Sequence, residues 1–334
     1  MNFAIVGATG NVGRKTIDIL EKSKIKIKKL FLVASKKSAG KIINFKKKKI
    51  KIEALEDYDF GKAKITIFAA GSVIAKKWAP IAAKKTIVID NSKHFRMEKN
   101  VALVVPEVNE NALKIYKKRK IIANPNCSTV QLVLVLKPLH EKFKIKRVVV
   151  STYQAVSGAG KAPMDELFTQ TRNFLKGKKV KSKNFTKQIA FNLIPHIDKF
   201  LKDGFTKEEW KMENETKKIL DPNIKMTATC VRVPVRTSHS ESVNIEFKRP
   251  YSLQKVKELL KKAPGCKVID IQKNGGYITP VEAEGSYLTY ISRIRKDNSN
   301  KKAINLWIVS DNLLKGAALN TVQIAQTLIK KYIK

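Results

Sequence analysis

The sequence is poor in the residues that build disulfide frameworks and metal centres. Its 334 residues include three cysteines, Cys127, Cys230 and Cys266, and four scattered histidines. An odd number of cysteines without regular spacing argues against a disulfide framework and favours a reducing compartment. Because no cysteine or histidine cluster has metal-ligand spacing, we expect no bound metal.

Long apolar stretches are lacking too. No apolar run approaches the roughly 20 residues that a membrane-spanning helix needs, and Met1 leads straight into a predicted strand without room for a signal peptide. We therefore expect a cytoplasmic protein with no membrane association. The chain is longer than most single domains, so two domains are expected.

Acidic residues are few, with 28 Asp and Glu against 68 Lys and Arg and a net charge of +40. Such a charge alone is typical of nucleic-acid-binding proteins. However, the excess is lysine spread along the whole chain, and its runs at 46–49 and 176–183 contain no aromatic platform. We interpret these lysines as solvated surface that binds nucleic acid only nonspecifically, if at all.

A glycine loop follows the first predicted strand, at residues 2–6, and leads into an amphipathic helix that ends near Lys22. Three glycines alone also fit a plain tight turn, but strand, glycine loop and helix in this order form a Rossmann phosphate-binding unit. Cofactor contacts are therefore expected at Gly7, Thr9, Gly10, Asn11, Val12 and Gly13.

The second predicted strand ends at residue 34, where a Rossmann fold binds the ribose of its cofactor. Ser35, Lys37 and Ser38 lie there, and no carboxylate does. The absence of an acidic residue favours NADP over NAD. Lys37 is the expected phosphate contact, although an ordinary surface lysine is the alternative.

Further predicted strands at 65–69 and 86–90, with a helix at 74–83, continue the α/β alternation. Arg96 lies in the loop after the fourth strand, at the sheet edge where ligands bind. Beyond residue 127, predicted strands and helices are mixed. The sequence thus predicts an α/β Rossmann-type nucleotide-binding domain followed by an α+β catalytic domain.

Cys127 lies where a short predicted strand gives way to a helix, in Asn124-Pro125-Asn126-Cys127-Ser128-Thr129. Unpaired N–H groups and the positive end of the helix dipole favour a thiolate at such a position. Cys127 is therefore a candidate nucleophile. A buried structural cysteine is the alternative.

Two distant segments favour the nucleophile. Gln154 follows a predicted strand at 148–153, and the segment 231–240 brings Arg232 and His239 together. With the Asn-Cys pair at 126–127, these segments resemble the catalytic core of the aspartate-semialdehyde dehydrogenase family. The resemblance extends from the first strand to the last helix.

The resemblance implies NADPH-dependent reduction of L-aspartyl-4-phosphate to L-aspartate-4-semialdehyde, with release of phosphate, through a thioester on Cys127. It places the reaction in lysine, threonine, methionine and diaminopimelate biosynthesis. It also implies that His239 serves as acid and base and that Gln154 orients the reacting group. Backbone N–H groups around Asn126 and Cys127 are expected to hold the oxyanion.

Further roles come from the resemblance alone. It implies a homodimer formed through the second domain, with domains at 1–126 together with 312–334 and at 127–311. Glu208 and Lys211 also fit an ordinary ion pair on one helix face. The implied substrate contacts are Arg96, Asn126, Glu208, Lys211 and Arg232, and the implied additional cofactor contacts are Ser157, Gly158 and Asn312.

Three alternatives fit less well. Acetylglutamyl-phosphate reductases share the chemistry, but their nucleophile resembles Pro-Gly-Cys-Tyr rather than the Pro-Asn-Cys-Ser found here. Glyceraldehyde-3-phosphate dehydrogenases carry Ser-Cys-Thr-Thr-Asn, which this chain lacks. A nonenzymatic nucleic-acid binder would explain the charge but would leave Cys127 and His239 incidental.

Overall fold

The computed structural model describes residues 1–333, which fall into two compact units. The first unit contains Met1–Pro125 and the chain from Ala317 onward, and the second contains Asn126–Gly316. None of the helices in the described chain is long and apolar enough to cross a membrane.

A seven-stranded parallel sheet organises the first unit, with strand order β5-β2-β1-β6-β7-β9-β8. The elements are β1 (Asn2–Val6), α1 (Asn11–Lys22), β2 (Lys29–Ala34), β3 (Ile42–Phe45), β4 (Lys48–Lys51), β5 (Glu53–Ala54), β6 (Ile65–Phe68), α2 (Gly71–Ala83), β7 (Ile87–Asp90), β8 (Ala102–Leu103), α3 (Pro106–Asn109), β9 (Ile121–Ala123) and a C-terminal helix (Leu319–Lys331). Short 3-10 segments cover Lys36–Ser38, Phe60–Lys62 and Glu110–Lys118.

The central strands of this sheet are buried on both faces, and for this reason they are continuous apolar runs in the sequence. β1 pairs with β2 on one side and with β6 on the other. The chain therefore moves outward from β1 to β2 and later returns to β6 on the opposite side. Parallel sheets bind ligands outside the carboxyl ends of strands at such a switch point.

β3 and β4 form a two-stranded hairpin that the sequence analysis did not predict. Its turn places Lys46 and Lys47 at φ of 47° and 62°. Asparagine or glycine usually occupies these positions. Because two lysines occupy the turn, the turn residues in the sequence do not indicate a hairpin.

A six-stranded mixed sheet organises the second unit, with strand order β11-β10-β12-β15-β14-β13. The elements are α4 (Cys127–Phe143), β10 (Ile145–Gln154), α5 (Lys161–Leu175), α6 (Lys207–Ile219), β11 (Lys225–Arg232), β12 (His239–Phe247), α7 (Leu253–Lys262), β13 (Cys266–Val268), α8 (Pro280–Ala283), β14 (Thr289–Lys296) and β15 (Ala303–Ser310). β10 is parallel to β11 and antiparallel to β12.

Side chains of α4, α7 and the sheet form one apolar core in this unit, which includes Leu132, Leu136, Val243, Leu260 and Ile304. The alternation of buried and exposed residues along β10 and β12 follows from this packing on one face. An α/β unit with a parallel sheet followed by an α+β unit confirms the fold class predicted from the sequence.

Candidate active site

Cys127 is the first residue of α4, as predicted from the change of pattern at this point. Asn126 is the N-cap, and its side-chain oxygen accepts a hydrogen bond from Ser128 N–H at 2.9 Å. The cap satisfies one of the unpaired donors at the helix end. The Cys127 thiol thus lies at the positive end of a 17-residue helix, which favours its ionised form.

Helix α6 holds the loop in front of Cys127 through two carboxylates. Asn126 Nδ2 donates to Glu208 Oε1 at 2.9 Å, and Asn126 N–H donates to Glu215 Oε2 at 2.6 Å. The sequence analysis missed Glu215. Its position seven residues after Glu208, on the same helix face, is a signal that could have identified it.

Glu208 and Lys211, one turn apart on α6, form a buried ion pair. Lys211 Nζ also lies 3.3 Å from Asp198 Oδ2. Burial alone would raise the pKa of Glu208, but the Lys211 ammonium and hydrogen bonds from Lys211, Asn126 and Gln154 outweigh it and hold the pKa at about 2. Glu208 is therefore a carboxylate throughout the physiological pH range.

The register of the sheet brings three predicted site residues into one row. Gln154 and Arg232 are partners at the ends of the parallel strands β10 and β11. On the other side of β10, Tyr153 pairs with Ser240, so His239 at the start of β12 lies beside Gln154. All three side chains are buried. Residues distant in sequence thus meet because β10 and β11 end where β12 begins.

Gln154 connects this row to α6. Its amide donates to Glu208 Oε1 at 3.0 Å, and its oxygen accepts from Thr152 Oγ1 at 3.0 Å. Both ends of the amide are fixed, so Gln154 can hold a single orientation.

Arg232 is only 6% exposed, and its Nη1 donates to the Ala155 carbonyl at 2.7 Å. Burial lowers the pKa of Arg232, while the nearby Glu208 carboxylate opposes the change. Because a guanidinium starts from a very high pKa, it stays charged. A buried, oriented guanidinium is suited to binding a carboxylate with two parallel hydrogen bonds.

His239 is fully buried, and its Nδ1 accepts a hydrogen bond from Ala155 N–H at 3.0 Å. Its Nε2 has no hydrogen-bond partner among residues 1–333. Burial and the Arg232 charge lower the pKa of His239 to about 3. The ring is therefore neutral at neutral pH, and because Nδ1 is an acceptor, the proton is on Nε2.

The three additional cofactor residues implied by the family resemblance cluster beside His239. Ser157 Oγ donates to Asn312 Oδ1 at 3.0 Å, and Ser238 N–H donates to the same oxygen at 2.9 Å. A Cβ at Gly158 would lie 3.1 Å from His239 Nε2. Glycine at position 158 therefore keeps space open beside the His239 Nε2, which carries the proton. The cofactor roles of Ser157, Gly158 and Asn312 remain predictions.

Gly316 is a site residue that the sequence analysis missed. A Cβ at this position would lie 2.7 Å from the Cys127 Cβ. Any larger residue would displace the nucleophile or the segment that follows Asn312. The Lys-Gly pair at 315–316 carried no signal that distinguishes it from an ordinary turn.

In the first unit, the glycine loop is at the switch point of the parallel sheet. Gly7 has φ of +86°, and a Cβ there would lie 2.6 Å from the Ala69 carbonyl oxygen, just after β6. Gly10 caps α1 without a side-chain hydrogen bond to the helix. A helix N-terminus without a side-chain cap, beside a glycine loop, fits the pyrophosphate of a dinucleotide.

The remaining predicted residues of the first unit lie at strand ends. Ser35 and Lys37 are exposed at the 3-10 segment after β2. Arg96 is 7% exposed, and its Nη2 donates to the Asn91 carbonyl at 3.0 Å, after β7. Their roles toward cofactor and phosphate stay predictions.

Comparison with known proteins identifies the class first. Residues 2–116 match the model of the semialdehyde dehydrogenase NAD binding domain, and residues 136–315 match the semialdehyde dehydrogenase dimerisation domain. These two matches, to a Rossmann-type unit and to the unit that carries the Cys127 site, define a semialdehyde dehydrogenase.

Similarity to individual proteins narrows the class. The aspartate-semialdehyde dehydrogenase of Aquifex aeolicus is 50% identical over 98% of both chains, and that of Rickettsia bellii is 49% identical over 99% of this chain and 98% of its own. The chain belongs to the aspartate-semialdehyde dehydrogenase family, a family of oxidoreductases.

Solved structures agree with this family. Aspartate semialdehyde dehydrogenase II of Vibrio cholerae, complexed with ASA, has a TM-score of 0.97 and 44% identity over 99% of this chain and 98% of that chain. The enzyme of Candida albicans, solved with NADP, has a TM-score of 0.76 and 26% identity over 100% of this chain and 99% of that chain.

Proposed function

We propose that this protein reduces L-aspartyl-4-phosphate to L-aspartate-4-semialdehyde with NADPH and releases phosphate. The observation that carries the proposal is a single site in the second unit, where a thiol at a helix N-terminus accompanies a row of buried Gln154, Arg232 and His239. Such a set serves acyl transfer through a thioester. Family membership supplies the substrate.

Cys127 would act as a thiolate from start to finish. The thiolate attacks the acyl carbon, the bond from that carbon to the phosphate oxygen breaks, and a thioester forms. Bound NADPH would supply the hydride that reduces this thioester. The resulting oxyanion collapses, the carbon–sulfur bond breaks, and aldehyde and thiolate are released. The one proton that the reaction consumes ends on the phosphate.

For His239 we propose a hydrogen-bonding role in place of acid–base catalysis. Because Cys127 begins and ends as a thiolate, the ring needs to neither give nor take a proton. Nε2–H can instead donate to the oxyanion that forms in each step. The Asn126 and Ser128 N–H groups already bond to Glu215 and Asn126, so they are poor candidates for that task.

Substrate recognition would use the buried charges of the second unit. Arg232 would bind the α-carboxylate as a fork, and the Glu208 carboxylate would bind the α-ammonium group. Asn126, whose amide already bonds to Glu208, would adjoin the substrate there. Gln154 would orient the acyl group.

The proposed phosphate contacts, Arg96 and Lys211, rest mainly on the family resemblance. Two carboxylates already offset the charge of Lys211. A phosphate would have to compete with Asp198 for this ammonium group. For Arg96, burial and a fixed hydrogen bond to Asn91 support a binding role over an ordinary surface arginine.

The proposed cofactor is NADP(H). The N-terminus of α1 behind Gly10, which has no side-chain cap, would bind the pyrophosphate. Ser35, Lys37 and Ser38 would bind the 2′-phosphate where NAD enzymes carry an acidic residue. The Candida albicans relative solved with NADP supports this choice. Ser157, Gly158 and Asn312 would adjoin the nicotinamide.

A homodimer, a cytoplasmic location and a place in lysine, threonine, methionine and diaminopimelate synthesis complete the proposal. The match to a dimerisation domain supports the dimer. Sedimentation analysis across a range of concentrations tests it. Growth of a strain lacking its own aspartate-semialdehyde dehydrogenase, without the three amino acids, tests the pathway.

The decisive assay runs the reaction backwards. Purified protein is mixed with phosphate, NADP and one of three aldehydes, and nicotinamide absorbance is recorded. We expect NADPH to form with aspartate semialdehyde and to form far more slowly with N-acetylglutamate semialdehyde or glyceraldehyde 3-phosphate. Faster turnover of either alternative aldehyde would contradict the assignment.

A further inference from the structure

Glu241 is a fully buried carboxyl group that the proposed reaction does not use. It lies on β12 two residues after His239, so both side chains are on the same face of the sheet. Its neighbours in the sheet are Thr152 on β10 and Ile308 on β15. Neither carboxyl oxygen of Glu241 has a hydrogen-bond partner in the described part of the chain.

Gln131 of α4 is the polar side chain that lowers the pKa of Glu241. It follows Cys127 by four residues, so it lies one helical turn below the nucleophile on the same face of α4. The Gln131 Nε2 is also buried without a partner among residues 1–333. The helix that carries Cys127 and the strand that carries His239 therefore each contribute a buried polar side chain with an unpartnered atom in the described chain.

Among residues 1–333, burial and the Gln131 amide are the influences on the pKa of Glu241, and no cation is one of them. Thr152, Ile308 and Gln131 do not titrate. The titratable side chains in the same and the adjoining row of the sheet are Cys230 on β11, His239 and Arg232. Arg232 is charged, but its Nη1 donates to the Ala155 carbonyl, and the carboxylate that acts on it most is Glu208. Burial raises the pKa of Cys230 and lowers that of His239, so both are neutral at neutral pH.

An unpaired carboxylate is among the most costly groups to bury, and proteins avoid the cost by keeping the proton. Burial raises the pKa of Glu241 well above its ordinary value, and the Gln131 amide opposes the change only in part. A protonated carboxyl has an O–H donor, for which an amide oxygen is an acceptor. Amide orientation is assigned from such partners, and the protonated acid favours an amide oxygen facing Glu241.

We propose that Glu241 is a positioning residue, an uncharged carboxylic acid whose hydrogen bond to Gln131 fixes the first turns of α4, with Cys127, against β12, with His239. Its catalytic consequence rests on the proposed function. A charged Glu241 would act against a thiolate at Cys127, which lies one helical turn from Gln131, because like charges disfavour ionisation. The neutral acid joins the two elements without this penalty.

The first test measures the pH dependence of stability in Glu241→Gln. The amide mimics a neutral acid but cannot ionise. In the wild type the unfolded carboxyl ionises above its pKa of 4.5 while the folded one keeps its proton, so stability from this group is lost as pH rises toward the folded pKa. From pH 5 upward, the ratio of the wild-type to the variant unfolding constant should increase up to about tenfold per pH unit.

Glu246→Gln, on the same strand, is the matched control. Glu246 is partly exposed and lies 2.8 Å from Lys146 Nζ, and this hydrogen-bonded pairing lowers its pKa. Its stabilising effect is therefore complete above the unfolded pKa and is lost only in acid. The same ratio should be constant from pH 5 to 9. A constant ratio for Glu241→Gln as well would overturn the proposal.

The second test compares Glu241→Gln with Glu241→Leu, which keeps the volume but removes the hydrogen bond. Glu241→Gln should keep kcat within about threefold and keep its pH profile, whereas Glu241→Leu should lose tenfold or more in kcat. Alkylation of Cys127 by iodoacetamide, followed against pH, should shift only in the leucine variant. A folded glutamine variant with tenfold lower kcat, or a leucine variant that behaves as wild type, would refute the positioning role.

If the proposed function were wrong, the assays would give a result that differs from failure of the Glu241 proposal. In that case even the wild-type protein would not turn over aspartate semialdehyde. The unfolding and alkylation measurements do not depend on the substrate, so they would still decide the state and the role of Glu241.

Discussion

Positive charge is arranged in opposite ways in two regions of the molecule, a lysine-lined groove of the first unit and the candidate active site of the second. A groove of about 890 Å³ lies in the first unit beside the amino ends of β1 and β2, and we call it the lysine groove. Seven lysines line it: Lys28, Lys29, Lys46, Lys48, Lys49, Lys51 and Lys62. Its one acidic residue, Glu53, pairs with Lys62. In the second unit, Lys211 and Arg232 are less than a tenth exposed and bond to specific partners.

The difference shows which charges carry information about function. An exposed lysine keeps its hydration and costs little, so such residues can accumulate without a specific role. A buried cation is stable only where carboxylates and carbonyls match it, so its position is highly constrained. The net charge of +40 is therefore a weaker guide to this protein than two buried cations. Substitutions at buried and at exposed cations test this contrast.

The largest expected effect is that of Cys127→Ser, which keeps the site but removes the thiolate. A serine hydroxyl is not ionised at neutral pH, so we expect turnover to fall by about three orders of magnitude or more. NADPH binding, measured by fluorescence titration, should be unchanged. Cys266→Ser, at a partly buried cysteine on β13, is the control and should stay active. Retention of more than about a tenth of activity by Cys127→Ser would exclude it as the nucleophile.

Arg232→Lys tests whether the geometry of a buried cation, and not only its charge, is needed for substrate turnover. The substitution keeps the charge but loses the planar fork, so kcat/KM for aspartate semialdehyde should fall by roughly ten- to a thousandfold. Arg236→Lys, four residues away, is the matched control. Arg236 is about half exposed and pairs with Glu284, so its substitution should change kcat/KM little. Equal effects of the two substitutions would contradict the contrast between buried and exposed charge.

Much of this arrangement could be predicted from the sequence because its signals are local. Buried parallel strands are apolar runs, and the glycine loop and Cys127 each lie at a visible change from strand to helix. Strand β11 and helix α7 were not predicted. The alternation in β11 uses small and polar residues, Thr227, Ala228 and Thr229, that give a weak periodic signal.

Apart from Glu215, the site's supporting residues could not be predicted, because their roles depend on tertiary neighbours. Asp198 reaches Lys211 from a segment without regular structure, and Gly316 matters only because Cys127 is beside it. The proton position on His239 depends on one backbone N–H, that of Ala155. Likewise, the burial of Glu241 results from the pairing of β12 with two neighbouring strands.

A smaller effect is expected for Lys37→Ala, because this lysine is exposed yet proposed to bind the 2′-phosphate. A charged hydrogen bond of this kind contributes on the order of 1 to 3 kcal/mol, so the preference for NADPH over NADH should shrink by one to two decades. The measurement is kcat/KM with each cofactor. Lys36→Ala, at the adjacent exposed lysine, should narrow the preference less. Equal efficiency of the wild type with both cofactors would refute the assignment.

The smallest effect on catalysis is expected in the lysine groove. Replacing Lys46, Lys48 and Lys49 together with glutamine should leave kcat/KM unchanged, because these side chains are exposed at the hairpin β3–β4. Retention of duplex DNA should weaken, and the slope of log affinity against log salt should become less steep by up to about 0.9 for each lost phosphate contact.

The control replaces Lys178, Lys179 and Lys181, an equally exposed triplet in the second unit that does not line the groove. If the lysines are only solvated surface, both triple variants should weaken DNA retention to a similar extent, because nonspecific attraction depends on total charge. A much larger loss from the groove variant would show that the concave arrangement itself binds polyanions. Loss of catalysis in the groove variant, with Arg232→Lys still active, would reverse the comparison and make the exposed lysines the functional charges.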